Sequence, residues 1–344
     1  MSEGDGAPGS ARRRRNIGRG VLWSVLAVFV IAAVVSGLFV ANLAHNFDAN
    51  VQRLPTTFPN DVSRPVKPTQ GPASNAENIL LLGSDSRSDD VDLAEQGLPS
   101  NQRSDTMMWV HIPADRKNIY MISIMRDTWV TIPGHGEAKI NAAMAYGGVP
   151  LVVQTVEGMF NSRIDHVAVV DFEGFKAVTD VLGGVTVNVP IPFTSTHGNY
   201  TFPAGPQKMT GDQALGFVRE RYAFVDGDYQ RVKDQQIFLK AVLNTILTPS
   251  TLGNPITVTN LVKDVSPYVK VDQDLTAPTL AALALSLRGV RGSDVKSFTL
   301  PTLGTGTSAD GQSIVLRDDA AISAIAAALA NDSMGSYMAG AGLH

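Results

Sequence analysis

The chain of 344 residues contains no cysteine. Disulfide bonds, thiolate catalysis and thiolate metal sites are therefore excluded. Charged residues make up only 17% of the chain, and their formal balance is −4 at pH 7. Residues 1–20 hold five arginines and two acids, a net of +3, so subtracting +3 from −4 leaves −7 for the rest. An acidic remainder of this kind argues against a large nucleic-acid-binding surface.

Charges are also missing from one long apolar run, residues 21–41. A run of about 20 apolar residues is long enough to cross a bilayer core. A cleavable signal peptide would have a shorter apolar region, roughly 7–15 residues, and the sequence after Ala41 resembles a cleavage site only weakly. Because arginines precede the run, we expect a transmembrane helix at 21–41, a cytoplasmic tail at 1–20 and residues 42–344 outside.

Prolines are concentrated between residues 42 and 75, a composition typical of an extended linker. The sequence therefore predicts a Pro-rich extracytoplasmic linker over 42–75, a folded domain over 76–332 and a flexible tail over 333–344.

Apolar runs alternate with amphipathic segments throughout the predicted domain. The predicted strands are 78–83, 106–112, 119–125, 166–171, 185–189 and 295–300. The predicted helices are 141–146, 150–160, 172–182, a helix that begins after Thr210, 228–247, 275–287 and 318–329, with a loop at 190–206. Thr210 and Gln213 match a helix-capping box. This alternation predicts a layered α/β domain.

Carboxylates and an arginine stand at the ends of three predicted strands. Asp85 follows the first strand, Arg126 follows the third, and Asp105 precedes the second. Because residues 113–118 form only a short connection, the second and third strands should pair as an antiparallel hairpin. Asp105 then meets Arg126 at one sheet edge, and Asp85 joins them if the first strand runs parallel to the third. Carboxylates hold Mg²⁺ and arginines grip phosphate oxygens, so this edge predicts phosphoryl chemistry.

Further arginines lie late in the chain. Arg219 and Arg221 face the same side if the backbone there is extended. Arg231 and Gln235 are four residues apart and share a helical face. Taken singly, an Arg-x-Arg pair is usually a solvated surface, and an Arg231/Gln235 pair is ordinarily a polar helix face. An aspartate after a strand is usually a turn or cap residue. Only the combination favours a functional interpretation.

Taken in order, these blocks resemble the LytR–CpsA–Psr (LCP) family. The resemblance covers about residues 75–330 and rests on five matching blocks, 78–87, 103–108, 122–134, 139–148 and 214–235. One departure is Met125, where the family often has proline. The resemblance implies an α-β-α domain with a mixed central sheet, preceded by one transmembrane helix.

The resemblance also implies an extracytoplasmic enzyme, dependent on Mg²⁺ or Mn²⁺, that moves a glycopolymer from a polyprenyl-pyrophosphate carrier onto peptidoglycan. By motif position, Asp85 and Asp105 correspond to the metal ligands and act with Arg126 in catalysis. The implied pyrophosphate-binding residues are Arg87, Arg103, Arg126, Arg219, Arg221, Arg231 and Gln235. The composition, rich in Ala, Gly, Val and Asp and poor in Lys, suggests an actinobacterium, in which the polymer would be arabinogalactan.

A tunnel for the lipid tail is a further implication of the resemblance. The residues that we expect either to line it or to pack as ordinary core are Val152, Val156, Phe160, Phe172, Phe175, Val178, Phe238, Leu239 and Val242. Two other functions stay open: hydrolysis of the pyrophosphate by water, and a non-catalytic regulator that binds polyprenyl phosphate. The aspartate pair argues against the regulator, because arginines suffice for binding.

No histidine is placed as an obvious base. His111 falls inside a predicted strand, and His135 and His197 fall in loops. Asp127 is a candidate base, although it could equally orient Arg126.

Overall fold

The computed structural model describes residues 37–60, 63–84 and 104–343, with the backbone alone at residues 104 and 105. Residues 37–50 form helix α1, within which the chain divides into two compact units, Met1–Asn46 and Phe47–His344. Most of the membrane span expected at 21–41 lies outside the described residues. Within the described part, no helix is both long and apolar enough to cross a membrane.

A seven-stranded mixed sheet organises the second unit, in the order β1-β12-β7-β2-β3-β4-β13. Its strands are β1 (Gln52–Arg53), β2 (Glu77–Ser84), β3 (Ser104–Ile112), β4 (Ile119–Ile124), β7 (His166–Val170), β12 (Val269–Val271) and β13 (Val295–Thr299). Smaller antiparallel pairs are β5 (Trp129–Ile132) with β6 (Gly136–Lys139), β8 (Val185–Val189) with β11 (Gly205–Met209), β9 (Phe193–Thr194) with β10 (Thr201–Phe202), and β14 (Thr302–Thr307) with β15 (Ser313–Arg317).

Helices cover both faces of this sheet. They are α2 (Ala142–Phe160), α3 (Phe172–Val181), α4 (Gly211–Arg219), α5 (Asp228–Ile246), α6 (Pro249–Leu252), α7 (Pro255–Val265), α8 (Ala277–Ser286), α9 (Asp319–Ala330) and α10 (Met334–Gly340). The predicted capping box is confirmed at α4, where the Thr210 hydroxyl accepts from the Gln213 N–H and the Gln213 side chain accepts from the Thr210 N–H.

Strand directions bring several chain ends to one edge. β3 pairs antiparallel with both β2 and β4, while β2 pairs parallel with β7 and β4 with β13. Gly83 lies opposite Thr106, and Met107 lies opposite Ile124. The carboxyl ends of β2, β4, β7 and β13 therefore share an edge with the start of β3. The predicted hairpin is confirmed. The first and third strands run parallel to each other, which was the condition for Asp85 to join the same edge.

Alternate residues of the central strands enter two separate cores, because successive side chains of a strand point to opposite faces. Leu80, Leu82 and Trp109 are buried on one face against α2 and α9. Leu81 and Met108 lie on the other face with residues of α5 and α8. The result is three layers, α-β-α, as the sequence predicts.

The segment expected as a linker belongs to the folded unit. β1 pairs with β12, and Leu54 is 2% exposed in the main core. Arg64 forms a buried ion pair with Glu157 of α2, with 2.7 Å between Arg64 Nη2 and Glu157 Oε1. The many prolines favour an extended chain in this segment. Its apolar and charged side chains nevertheless pack on the sheet edge and on α2, so the segment does not act as a spacer between membrane and domain.

Two other boundaries differ from expectation. The tail predicted to be flexible from residue 333 contains α10, whose Met334 and Met338 are buried in the main core. The loop predicted at 190–206 contains the β9–β10 pair and the start of β11. Hydrophobic periodicity could not predict these elements. Two-residue strands are too short to show a pattern, and α10 has only seven residues, two of them glycine.

Candidate active site

A cavity of about 440 Å³ lies between the sheet and helices α3, α4 and α5, beneath the shared strand edge. Gly83 and Thr106 form its floor at that edge. One end is lined by Arg126, Arg219, Arg221, Arg231 and Gln235. The rest of the lining is mainly apolar, with Asp171, His197 and Tyr222 as its polar members. The apolar residues are Leu81, Leu82, Met108, Val170, Phe172, Phe175, Val178, Leu215, Val218, Phe238, Leu239, Val242, Leu243 and Ile246.

Helix α5 supplies one wall of both ends. Arg231, Gln235, Phe238, Val242 and Ile246 all line the cavity and recur at spacings of three or four residues, so they form one face of the helix. The polar residues come first and the apolar ones follow. At 1.5 Å per residue the face from Arg231 to Ile246 extends roughly 22 Å. The cavity is therefore amphiphilic along its length.

Asp228, the first residue of α5, joins three of the arginines. Its Oδ2 lies 2.8 Å from Arg231 Nη2 and 3.3 Å from Arg126 Nε, and its Oδ1 lies 3.9 Å from Arg221 Nη1. One carboxylate thus holds residues from three separate segments of the chain. The four arginines and Lys139 outnumber the described acids around them, Asp127, Glu220 and Asp228, so this end of the cavity keeps a net positive charge that favours a bound anion.

Arg126 lies just after β4 and contacts residues on several sides. Its backbone carbonyl accepts from the Asn141 N–H at 3.1 Å. Its Nε lies 3.5 Å from Asp127 Oδ2, and Asp127 Oδ1 in turn lies 3.2 Å from Lys139 Nζ. Asp127 is therefore placed to orient Arg126, which was one of the two roles considered for it.

Aromatic rings support the remaining arginines. The Arg219 guanidinium lies over the Phe172 ring at 4.5 Å, and Arg221 lies over Tyr222 at 4.6 Å. Arg221 also donates to the Tyr222 hydroxyl at 2.5 Å. Cation–π contacts of this kind hold a guanidinium without neutralising it, so its charge stays available to a ligand.

Of the predicted site residues, Arg126, Arg219, Arg221, Arg231 and Gln235 are brought together at one end of the cavity. Arg219 is the last residue of α4, so the extended backbone considered for Arg219 and Arg221 begins only at Glu220. Asp85, Arg87 and Arg103 lie outside the described residues. Asp105 belongs to β3, but its side chain is likewise not described. The roles predicted for these four residues stay predictions.

The two aspartates that the sequence predicts as ligands of a divalent cation flank the paired strand ends in the sequence. Asp85 follows Ser84 and Asp105 precedes Thr106, and the Gly83–Thr106 and Ser84–Ser104 pairs adjoin the cationic end of the cavity. Two carboxylates are a donor set that Mg²⁺ accepts. Among the side chains that the structure describes, no group of three or more His, Asp or Glu residues is arranged to hold a metal.

The apolar lining separates the expected tunnel residues into two sets. Phe172, Phe175, Val178, Phe238, Leu239 and Val242 do line the cavity. Val152, Val156 and Phe160 of α2 instead pack in the core on the opposite face of the sheet, where Phe160 lies edge-on to Trp109 at 5.3 Å. For these three residues the alternative of ordinary core packing is therefore confirmed.

Two histidines have different positions: His111 is buried in the structure, and His197 lies at the cavity. His111 is fully buried and bridges Asn78 and Asp332, with ring-nitrogen distances of 2.8 and 3.1 Å. His197 lines the cavity, which its loop position in the sequence did not indicate. Burial and the nearby Arg219 lower the pKa of His197, and Glu220 only partly opposes them. This lowered pKa favours the neutral form of the His197 imidazole.

Fold and site together define a class of protein: an α/β domain with a cavity between sheet and helices that is lined by arginines and by apolar side chains. The LytR_cpsA_psr family profile matches residues 48–331, and the chain belongs to this LytR–CpsA–Psr family.

Curated relatives support this assignment. The chain is 34% identical over 294 residues to the probable cell wall biosynthesis protein LcpB of Corynebacterium glutamicum, an alignment that covers 83% of this chain and 66% of LcpB. The chain thus spans about two thirds of LcpB. It is 31% identical over 255 residues to the polyisoprenyl-teichoic acid–peptidoglycan teichoic acid transferase TagU of Enterococcus faecalis, covering 74% of this chain and 78% of TagU.

Solved structures show the same fold. TagT bound to LI-WTA superposes with a TM-score of 0.61 and 26% identity, covering 83% of this chain and 99% of that one. B. subtilis TagV superposes with a TM-score of 0.63 and 25% identity, covering 75% of this chain and 98% of that one.

Proposed function

We propose that this protein is a membrane-anchored phosphotransferase that moves a glycopolymer from a polyprenyl-pyrophosphate carrier onto peptidoglycan. The observation that carries the proposal is the amphiphilic cavity, which has four arginines at one end and an apolar interior at the other. A polyprenyl pyrophosphate has the complementary form, a doubly charged head on a hydrocarbon chain. The relatives named as teichoic acid transferases support the reaction class.

The reaction exchanges the phosphoanhydride bond of the pyrophosphate for a new phosphoester bond. A hydroxyl oxygen of the acceptor bonds to the phosphorus next to the glycan, the bond from that phosphorus to the bridging oxygen breaks, and polyprenyl phosphate leaves. The hydroxyl proton passes to a base or to solvent. Arg126, Arg219, Arg221 and Arg231 stabilise the charge that gathers on the phosphate oxygens as the bond breaks, which lowers the transition state more than the ground state.

Asp85 and Asp105 are the residues that we propose hold Mg²⁺. The bound ion would supply further positive charge to the pyrophosphate oxygens. Gln235, beside Arg231 on α5, would assist in binding the pyrophosphate. Asp127 orients Arg126, which leaves the identity of any base to experiment.

The polymer that we propose is arabinogalactan, and two corynebacterial relatives support this finer assignment. Besides LcpB, the cell wall biosynthesis protein LcpA of Corynebacterium glutamicum is 29% identical over 282 residues, covering 72% of this chain.

A transfer assay tests the proposal directly. The full-length protein in detergent would receive a polyprenyl-pyrophosphate-linked oligosaccharide, peptidoglycan and Mg²⁺, and the products would be identified by mass. We expect oligosaccharide joined to peptidoglycan through a phosphodiester. Free oligosaccharide phosphate whose yield is independent of peptidoglycan would indicate a pyrophosphatase instead. Tight binding without either product would indicate a regulator.

A narrower cavity should weaken the binding of substrates with a long prenyl chain and leave the binding of short-chain substrates unchanged. Val178 of α3 lines the apolar part, so Val178→Phe should expel part of the lipid chain. Losing about two buried methylene contacts corresponds to roughly 1.6 kcal/mol, or about a tenfold rise in KM. Val178→Ala is the matched control and should keep KM close to wild type. Equal rises for a long-chain substrate and one with a very short prenyl chain would contradict the tail-binding role.

The membrane topology of the protein is a separate part of the proposal and can be tested by itself. Alkaline phosphatase fused to the C-terminus should be active, because the arginines that precede the apolar run at 21–41 place residues 42–344 outside. A matched fusion of a reporter that works only in the cytoplasm should be inactive. Strong signal from the cytoplasmic reporter would reverse the proposed topology.

A further inference from the structure

Glu220 is a fully buried carboxylate between two arginines that line the cavity. It caps the end of α4 with an extended backbone (φ −68°, ψ 136°), so Arg219 closes the helix and Arg221 opens the following turn. Glu220 itself lies behind the cavity lining. Its hydrogen bonds show which neighbouring segments the carboxylate holds in place.

One carboxylate oxygen fixes the turn that carries Arg221. Glu220 Oε1 accepts from the backbone N–H groups of Arg221, Tyr222 and Ala223 at 2.9, 2.7 and 3.1 Å. The chain thus wraps around its own side chain directly after α4. This sets the direction in which the Arg221 side chain, and the Tyr222 ring beneath it, leave the backbone.

The other oxygen holds a second cavity wall. Glu220 Oε2 accepts from the Thr196 N–H and from the Thr196 hydroxyl, the latter at 2.9 Å. Thr196 precedes His197 in the turn between β9 and β10, and His197 lines the cavity. The Ser195 hydroxyl adds a bond to the Gly216 carbonyl of α4 at 3.0 Å. Glu220 therefore joins the arginine segment to the histidine turn.

Both oxygens face only donors, so a charged carboxylate is the group that fits. Burial alone would raise the pKa of Glu220, but the bonds from Thr196, Ala223 and Tyr222 outweigh it and lower the pKa to about 2. Glutamine has the same shape, yet its NH₂ group would face either the Thr196 N–H or the three backbone N–H groups.

We propose that Glu220 is a positioning residue for the diphosphate: its carboxylate fixes Arg219, Arg221 and the His197 turn in the arrangement that grips the phosphate oxygens. The inference rests on the proposed function, because it names what the fixed arginines bind. Glu220 acts through the backbone, while Phe172 and Tyr222 support the guanidinium groups themselves.

The test is Glu220→Gln in the full-length protein. Misplacing a binding group by about 1 Å can cost about 100-fold in rate, so we expect kcat/KM for the lipid-linked substrate to fall roughly 10- to 100-fold. The dissociation constant of farnesyl diphosphate, measured by calorimetry, should rise in parallel. Glu173→Gln is the matched control, because Glu173 is an exposed acid on α3 that pairs with Lys176, and it should behave as wild type.

Two substitutions at Thr196 test the same contact without touching the acid. Thr196→Val removes the hydroxyl bond to Glu220 and should weaken farnesyl diphosphate binding, by less than Glu220→Gln does. Thr196→Ser keeps the hydroxyl and should restore wild-type binding. These variants keep the inference testable even where Glu220→Gln folds poorly.

A double-mutant cycle separates positioning from general destabilisation. If Glu220 acts through the two arginines, Glu220→Gln should raise the dissociation constant far less in an Arg219→Ala/Arg221→Ala background than in the wild type. An equal rise in both backgrounds would overturn the inference, as would unchanged binding in both Glu220→Gln and Thr196→Val. The proposed function fails separately, when the wild-type protein itself gives no transfer product.

Discussion

Arg126→Lys is expected to lower kcat by roughly 100- to 1,000-fold, by analogy with the loss of one oxyanion-hole donor. A guanidinium grips two phosphate oxygens in one plane, whereas an ammonium is a point charge on a shorter reach. Arg126 follows β4 directly and its carbonyl is bonded to Asn141, so the backbone cannot move to restore the contact. KM should change less, because the charge on the leaving phosphate grows only in the transition state.

The competing explanation is that Arg126 is structural, since it also lies near Asp228 and Asp127. A thermal melt recorded beside the kinetics separates the two roles. Arg116→Lys is a suitable control, because Arg116 bonds backbone carbonyls in the β3–β4 turn. A destabilised Arg126→Lys variant that keeps most of its activity would show that the residue is structural.

Asp85→Ala and Asp105→Ala should each abolish turnover while the fold survives. Losing the metal removes several kcal/mol of transition-state stabilisation, which corresponds to at least about 1,000-fold in rate. Turnover would be followed across a Mg²⁺ titration, with melting temperature measured on the same samples. Asp115→Ala, in the exposed turn after β3, is the control and should need no additional Mg²⁺.

Turnover near the wild-type rate at low Mg²⁺ in either variant would refute the metal-ligand assignment. A large fall in melting temperature without Mg²⁺ would instead indicate that the aspartate supports the strand edge itself.

Sequence reasoning predicted the sheet strands around the site for local reasons. Continuous apolar runs define β2, β3 and β4, and the short connection 113–118 requires an antiparallel hairpin. The relative direction of β3 and β4 then follows, and with it the edge at which Arg126 emerges, whereas the direction of β2 came only from the structure. Arg231 and Gln235 were likewise predictable, because helical spacing alone places them on one face.

The partners of these residues were not predictable in the same way. Asp228 contacts arginines at positions 126, 221 and 231, and Glu220 binds Thr196. In the sequence, Asp228 and Glu220 each stand close to arginines. Hydrophobic periodicity, however, does not show which distant segment of the chain packs against either acid. His197 gave still less indication, since its role depends on how a short β-pair docks on α4.

What the sequence determined by itself is the family, the strands β2, β3 and β4, the helices α3, α4 and α5 around the site, and the set of arginines proposed to bind a diphosphate, because these follow from local pattern and motif. Only the tertiary structure decided which apolar residues form a cavity. Val152 and Phe160 on α2 and Phe175 and Val178 on α3 have the same apolar character. They differ because α2 packs closely on one face of the sheet, whereas α3 and α5 leave space between them on the other.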